Sequence, residues 1–229
     1  MAAEFDSYAA SYDEDLERGL ALTGEDKLFY ATHRIAAVGR CLERAGLRPD
    51  RVLDFGCGTG TASPLLRQLL GARLVVGVDP STASVARAAA EFGGPGVDFG
   101  TPAERVPDGL FDLAFTNGVF HHIPPAERLA AVDYVRRSLR PGGLLAFWEN
   151  NPFNPGTRWV MRRVAFDREA VMLSAGAARR LLRSGGLAVV TTEFHFLFPR
   201  LLKWLRGLEP LMRSLPLGGQ YLVVARRPA

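Results

Sequence analysis

Two cysteines in 229 residues are too few for a disulfide framework or a zinc site, and Cys41 and Cys57 are expected to be reduced thiols of a cytoplasmic protein. No run of 18 uncharged apolar residues occurs, so no transmembrane helix is expected. The opening residues, MAAEFDSYAASYDEDLE, are acidic and lack an apolar core, so no secretory signal is expected. No His, Cys or Asp cluster has metal-ligand spacing, and no metal is expected. Internal repeats and low-complexity tracts are also lacking. What remains is an ordinary globular composition, long enough for one α/β domain with a full core.

Charge is unevenly spread. Of the 28 Lys/Arg and 24 Asp/Glu, 13 and 4 fall in residues 151–229, which leaves 15 and 20 in residues 1–150. A basic back half suits an acidic substrate, a membrane surface or nucleic acid, and is equally compatible with a solvated Arg-rich surface.

Along the chain, apolar residues recur near a 3.6 period over 25–46 and stop at Gly46, which predicts a helix. An alternation follows. RVLDF (51–55), LVVGV (74–78), VDF (97–99), FDLAFT (111–116) and LLAFWE (144–149) read as strands. Helical patterns lie between them: one ends near Leu70 with Ser63 before Pro64 as its start signal, one spans 82–91 with Ser81 as cap, and one spans about 125–139. Strands alternating with helices predict right-handed crossovers and a mainly parallel sheet. Pro152 and Pro155 argue against a regular element in NNPFNPG. A helix over 175–184, a strand over 187–198, a helical stretch over 200–215 and a strand over 220–226 complete the pattern. The last two strands predict an antiparallel edge.

The strongest chemical signal is Val52-Leu53-Asp54-Phe55-Gly56-Cys57-Gly58-Thr59-Gly60, a buried strand running into three glycines and then a helix. Glycine serves where the backbone turns sharply or a ligand lies against main chain. Nicotinamide enzymes also place glycines after a strand. Here the spacing is GxGxG, because Thr61 stands where a GxGxxG loop has its third glycine. A carboxylate at Asp54 repels a pyrophosphate and suits an ammonium group. Asp79, at the end of the second strand, is placed to accept hydrogen bonds from ribose hydroxyls.

Taken in order, DFGCGTG, VVGVDPS, FDLAFTNGVFHHIP and LRPGG resemble the class I S-adenosylmethionine-dependent methyltransferases, particularly the small-molecule branch. The likeness is strong over residues 45–150 and only in outline beyond. It implies a single Rossmann-like α/β domain with a seven-stranded, mostly parallel sheet of order 3-2-1-4-5-7-6. Strand 7 is antiparallel, helices flank the sheet, and residues 1–46 form an N-terminal helical cover on the domain 47–229. It implies S-adenosylmethionine as cofactor, with S-adenosylhomocysteine as product. Asp54, Gly56, Cys57, Gly58 and Gly60 would hold its methionine part, and Asp79 and Pro80 its ribose. Pro102, Ala103 and Glu104 would lie by the adenine, with Asn117 and Gly118 at the mouth of the fourth strand. Relatives often carry Asp where this chain has Pro102, so adenine recognition would fall to the Ala103 amide and to packing. FDSYAASYD resembles a helical cover of this branch, with Tyr8 or Tyr12 near the cofactor or merely packed.

His121, His122, Glu149 and Asn150 follow the fourth and fifth strands, where α/β enzymes place their chemistry. A His there can act as general base or anchor the loop, and Glu149 can take a proton, orient an acceptor or sit buried among amides. Asn151, Phe153, Arg158, Trp159 and Arg162 are candidate acceptor contacts. Segments 150–175 and 195–215 are expected to cover the acceptor pocket. The stripe Leu201, Leu205, Leu208, Met212 and Leu215 suits core, a homodimer face, or a peripheral membrane contact near a lipid-linked substrate.

The expected function is methyl transfer to an oxygen or nitrogen of a small-molecule acceptor, of natural-product or glycan type, which the basic residues would favour as anionic. Two alternatives stay open: an RNA or protein methyltransferase using the basic half, and a non-catalytic S-adenosylmethionine-binding scaffold. Nucleic acid is not the favoured partner. The fourth strand lacks the Asn/Asp-Pro-Pro-Tyr of amino-group nucleic-acid methylases, and no cysteine sits in a nucleophile position.

Overall fold

Neighbouring residues of the central strands bury themselves on opposite sides, because helices cover the sheet from both faces. The computed structural model describes residues 24–163 and 170–229. Its strands are β1 (Arg51–Phe55), β2 (Leu74–Val78), β3 (Val97–Gly100), β4 (Phe111–Asn117), β5 (Leu139–Asn150), β6 (Ala188–His195) and β7 (Gln220–Arg226). They form one sheet of order β3-β2-β1-β4-β5-β7-β6. Pairs from β3 through β5 are parallel, and β7 runs antiparallel to both β5 and β6, as expected.

The helices are α1 (Lys27–Arg44), α2 (Ala62–Leu70), α3 (Thr82–Phe92), α4 (Arg128–Ser138), α5 (Pro155–Met161) and α6 (Ala175–Ser184). A 3-10 segment (Arg200–Leu208) and the single turn α7 (Glu209–Met212) follow. On one face Val52, Val75, Leu113, Trp148 and Val224 pack against Ile35, Val38 and Leu42 of α1 and Leu66 of α2. On the other, Leu53, Phe55, Ala114, Phe147 and Val223 pack against Val132 and Val135 of α4 and Ala178 and Leu182 of α6. So α1 is a layer of the sheet, and its first turns overhang the strand ends where ligands bind. Tyr8, Tyr12 and residues 164–169 of the expected covers lie outside the described residues.

Four local expectations change. Pro155 does not break structure; it opens α5 at a first-turn position that needs no N–H donor, while Asn154 Oδ1 accepts from Thr157 N at 2.9 Å. Ser63 does not start α2; it lies inside the helix and donates to Asp54. The strand expected over 144–149 begins earlier, at Leu139, so Pro141-Gly142-Gly143 lies within β5, where pairing with β4 shifts register. The predicted strand 187–198 stops at His195, because Phe196 takes a left-handed backbone with φ 62°.

Candidate active site

The sheet order reverses between β1 and β4, and a crevice opens there at the carboxyl ends of the strands. The glycine loop fills the β1 side. Gly56 N donates to Val78 O at 2.8 Å, tying the loop to β2. Gly58 has φ 52° and open space before it: a Cβ there would meet nothing within 4 Å. Gly60 does a different job, since a Cβ there would press on Ala88 of α3 and on the Phe99 ring. Asp79 directly follows β2, with both oxygens engaged. One accepts from Gly58 N and the other from Ser81 N, each at 2.9 Å. Those two bonds pin the carboxylate beside the glycine loop. Ser81 caps α3 through Ser84 N, so Asp79 is not needed as the helix cap. Pro80 is exposed beside it. Asn117 Oδ1, at the end of β4, is a buried acceptor with no partner, and Gly118 follows with φ 66°. Open backbone at Gly58, a carboxylate at Asp79 and an orphaned acceptor at Asn117 fit a ligand with a polar backbone, ribose hydroxyls and an ammonium.

Residues 101–105 form a turn rather than a deep wall. Glu104 Oε2 accepts from Thr101 N at 2.8 Å and from Thr101 Oγ1 at 3.0 Å, and those bonds hold its carboxyl below the usual range. Pro102 is half-buried, and Ala103 and Glu104 are exposed. Cys57 is a free thiol, pushed up by burial and by the neighbouring Asp54 and Asp79.

Asp54 is buried under the loop and accepts from Ser63 Oγ at 2.7 Å. Burial pushes its carboxyl from 3.8 up to about 7; the Ser63 bond opposes this and the Asp79 charge adds to it. The folded protein therefore holds a proton that the unfolded chain releases, and stability from this group declines as pH rises from about 4 to about 7. An ammonium bound nearby favours the ionised form. S-adenosylhomocysteine affinity is thus expected to rise with pH across about 6 to 7, by up to about tenfold per unit, and to lose that slope in Asp54→Asn. Calorimetry showing the same slope in both proteins would place the ammonium elsewhere.

At the mouths of β4 and β5 the structure joins two predicted residues. Glu149, 1% exposed, accepts from Phe120 N at 2.7 Å and from His121 Nδ1 at 2.6 Å. A carboxylate only accepts, so the ring carries a proton on Nδ1. His122 stacks on His121 with ring centroids 4.1 Å apart. Both His residues, with Asn117, Gly118 and Asn150, line a cavity of about 510 Å³.

Much of that cavity comes from residues the motifs did not flag. Phe29, Tyr30, His33 and Arg34 of α1 form one wall, and Phe196, Arg206, Arg213 and Gln220 form another. Arg34 Nε donates to Gln220 Oε1 at 2.8 Å, and Gln220 Nε2 donates to Asn150 Oδ1 at 2.9 Å. Asn150 is thereby oriented with its amide nitrogen as the remaining donor. Behind the wall, His33 Nε2 meets His195 Nδ1 at 3.3 Å, and His195 Nε2 faces Glu193 Oε2 at 3.4 Å. Burial lowers His33 to about 4 and lowers His195 too, so both rings are neutral at neutral pH. His195, with Arg44 at 2.7 Å, holds the Glu193 carboxyl down at about 2, against its burial.

The predicted acceptor contacts divide. Trp159 lines the cavity. Asn151 is 1% exposed and spends its amide on Pro216 O, Gly218 O and Phe153 N. Phe153, Arg158 and Arg162 are exposed and outside the lining, because α5 turns only Gly156, Thr157, Trp159, Val160 and Met161 inward. The cavity's cations are Lys27, Arg34, Arg206 and Arg213.

A glycine loop and a carboxylate at the strand-order reversal define an α/β protein of the nucleotide-binding type. Residues 52–143 match the family model of the methyltransferase domain. A trans-aconitate 2-methyltransferase of Methylobacterium nodulans is 30% identical over 222 residues, covering 88% of this chain and 85% of the relative. A demethylmenaquinone methyltransferase of Thermus thermophilus is 34% identical over 140 residues, or 59% of this chain and 61% of the relative. Among solved structures, the methyltransferase bound to the Haloferax volcanii Trm112 activator superposes with a TM-score of 0.66 at 21% identity. That match covers 99% of this chain and 98% of the other. A Thermotoga maritima S-adenosylmethionine-dependent methyltransferase gives 0.63 at 21% identity, covering 99% and 100%. The chain belongs to the class I S-adenosylmethionine-dependent methyltransferases, and S-adenosylmethionine is its methyl donor.

Proposed function

We propose that this methyltransferase acts on an oxygen or nitrogen of a small-molecule acceptor that carries a carboxylate or phosphate. The charge of the cavity wall carries this reading. Among the described residues Lys27, Arg34, Arg206 and Arg213 line it with one carboxylate, Glu209, whose Oε1 accepts from Leu197 N and Phe198 N. Arg206 also pairs with Glu25 at 2.9 Å, and Arg213 lies 3.8 Å from Glu193. Guanidinium groups recognise carboxylate and phosphate by paired donors. The name of the relatives supports the same class, since aconitate is a polycarboxylate.

When bound, S-adenosylmethionine supplies a methyl group already activated on its sulfonium. The chain's task is alignment and exclusion of water. Gly56 and Gly58 lie against the methionine part, Asp79 holds the ribose, and Asn117 and Gly118 stand at the mouth of β4 beside them. Where the acceptor atom is a hydroxyl or amine, His121, held by Glu149, stands to take the proton it loses; a carboxylate oxygen loses none. Asn150, set by Gln220, donates to the acceptor, while Arg34 and Arg213 take its anionic group.

The test is formation of S-adenosylhomocysteine with trans-aconitate, other polycarboxylates and phosphorylated compounds, each beside its neutral ester or amide. The ionised forms are expected to turn over at lower KM. Arg34→Met and Arg213→Met are expected to raise the acceptor KM by about tenfold or more, from a charge-assisted bond worth about 1.5–3 kcal/mol. Turnover confined to neutral acceptors would overturn the reading.

A further inference from the structure

The segment 200–208 is nine residues long, holds four leucines and a tryptophan, and buries none of its residues. Its backbone is kinked at Leu202, with φ −107° and ψ 27°. Leu201 is 87% exposed and Trp204 74%, and a Cβ at Gly207 would meet nothing within 4 Å. The face continues through Leu208 to Leu211, 83% exposed. Polar contacts on the other side anchor the segment. Arg206 pairs with Glu25 at 2.9 Å, Arg200 Nη1 donates to Gly24 O, and Glu209 is buried on backbone amides. The apolar side chains are therefore turned outward by the way the segment is tied down.

Exposed large apolar groups on this scale mark a contact surface. The charges around them say which kind. Arg200 and Lys203 are exposed beside Leu201 and Trp204, and the sole carboxylate between residues 196 and 217 is the buried Glu209. Across the cavity, exposed Arg158, Arg162 and Arg163 flank Trp159, with the Arg163 guanidinium 3.7 Å over its ring. Tryptophan and leucine set among cations that make no ion pair with the described residues suit the boundary between acyl chains and anionic headgroups. No helix among the described residues is long and apolar enough to cross a membrane, so the contact would lie in the interface.

We propose that the Leu201–Trp204–Leu208–Leu211 face docks on an anionic lipid bilayer. It is continuous with the acceptor cavity, which Pro199, Arg206 and Pro210 of the same stretch line. Docking there would bring the cavity to the bilayer surface. The proposal rests on this outer face and not on the acceptor reading, so either can fail alone.

The experiment is co-sedimentation of the full chain with phosphatidylcholine vesicles, with and without phosphatidylglycerol. Pelleting is expected with phosphatidylglycerol, with little on phosphatidylcholine alone, and salt should weaken it. The combined variant Leu201→Ser, Trp204→Ser, Leu211→Ser should bind more than about tenfold more weakly, since each side chain forfeits burial in the acyl boundary. Arg200→Glu with Lys203→Glu should lose the phosphatidylglycerol dependence by a separate route. S-adenosylhomocysteine affinity should be unchanged in both, which also shows that they are folded. Absence of pelleting on anionic vesicles at low salt would overturn the proposal, as would equal pelleting of wild type and the triple variant. So would light scattering that finds a dimer lost in the triple variant, with no vesicle binding by wild type: the face would then belong to a second copy of the chain.

Discussion

Asp79→Ala is expected to weaken S-adenosylhomocysteine by at least about tenfold, and nearer a hundredfold if both ribose hydroxyls are held. Hydrogen bonds to a charged group are worth about 1.5–3 kcal/mol each, and each 1.4 kcal/mol is about a factor of ten. The structure adds a second route to the same loss. Asp79 holds Gly58 N and Ser81 N at 2.9 Å, so the alanine variant also releases the loop against which the ligand lies. Asp79→Asn separates the two, because its amide oxygen can still accept one of these bonds while the charge is gone. Affinity in the order wild type, Asn, Ala is the expected result. Equal affinity of wild type and Asp79→Ala by calorimetry would remove Asp79 from the cofactor site.

Glu149→Gln is expected to cost turnover by about a hundredfold or more while S-adenosylhomocysteine affinity holds, in line with the usual worth of general acid–base groups. The replacement keeps shape and one acceptor for Phe120 N. Its amide nitrogen then faces His121 Nδ1, and the ring must carry its proton on Nε2 instead, which removes the lone pair from the cavity side. His121→Asn should lose turnover similarly, and the two losses should not add. Glu149→Ala is a poorer test. It orphans two buried donors at about 1–3 kcal/mol each, or several degrees of melting temperature in a domain of this size. Full activity of both Glu149→Gln and His121→Asn would reduce the pair to a structural tie between β4 and β5.

The glycine loop and its carboxylates could be singled out before the structure because their chemistry is local. Asp54 through Gly60 is the end of one strand and its loop, and Asp79 directly follows the next strand. Their spacing along the chain is their spacing in space, since parallel strands align their ends. The acceptor half was not legible for the opposite reason. His33 and His195 lie 162 residues apart, and Arg34 and Gln220 lie 186 apart. No periodicity connects a helix packed on one face of the sheet to the last strand of that sheet.

The back half also shows where a pattern misleads. Helical spacing groups Leu201, Leu205, Leu208, Met212 and Leu215 as one stripe and leaves open whether it is core, a dimer face or a membrane contact. The segment is kinked at Leu202, and Leu201 and Trp204 are exposed while Leu205 and Met212 are half-buried. Arg158 and Arg162 have the right charge for an acceptor, yet α5 points them to solvent.

The sequence by itself determined the strands and the glycine loop, because strand alternation and turn chemistry are short-range constraints, and its resemblance to the class I methyltransferases supplied the strand order and the methyl donor. The tertiary structure alone decided which cations face the cavity, which tautomer Glu149 imposes on His121, and that the leucines of 200–211 look outward. Those depend on how α1, β6, β7 and the 3-10 segment dock together. Docking is set by buried area and by polar pairs between distant residues, such as Arg206 with Glu25, which leave no mark on the order of residues along the chain.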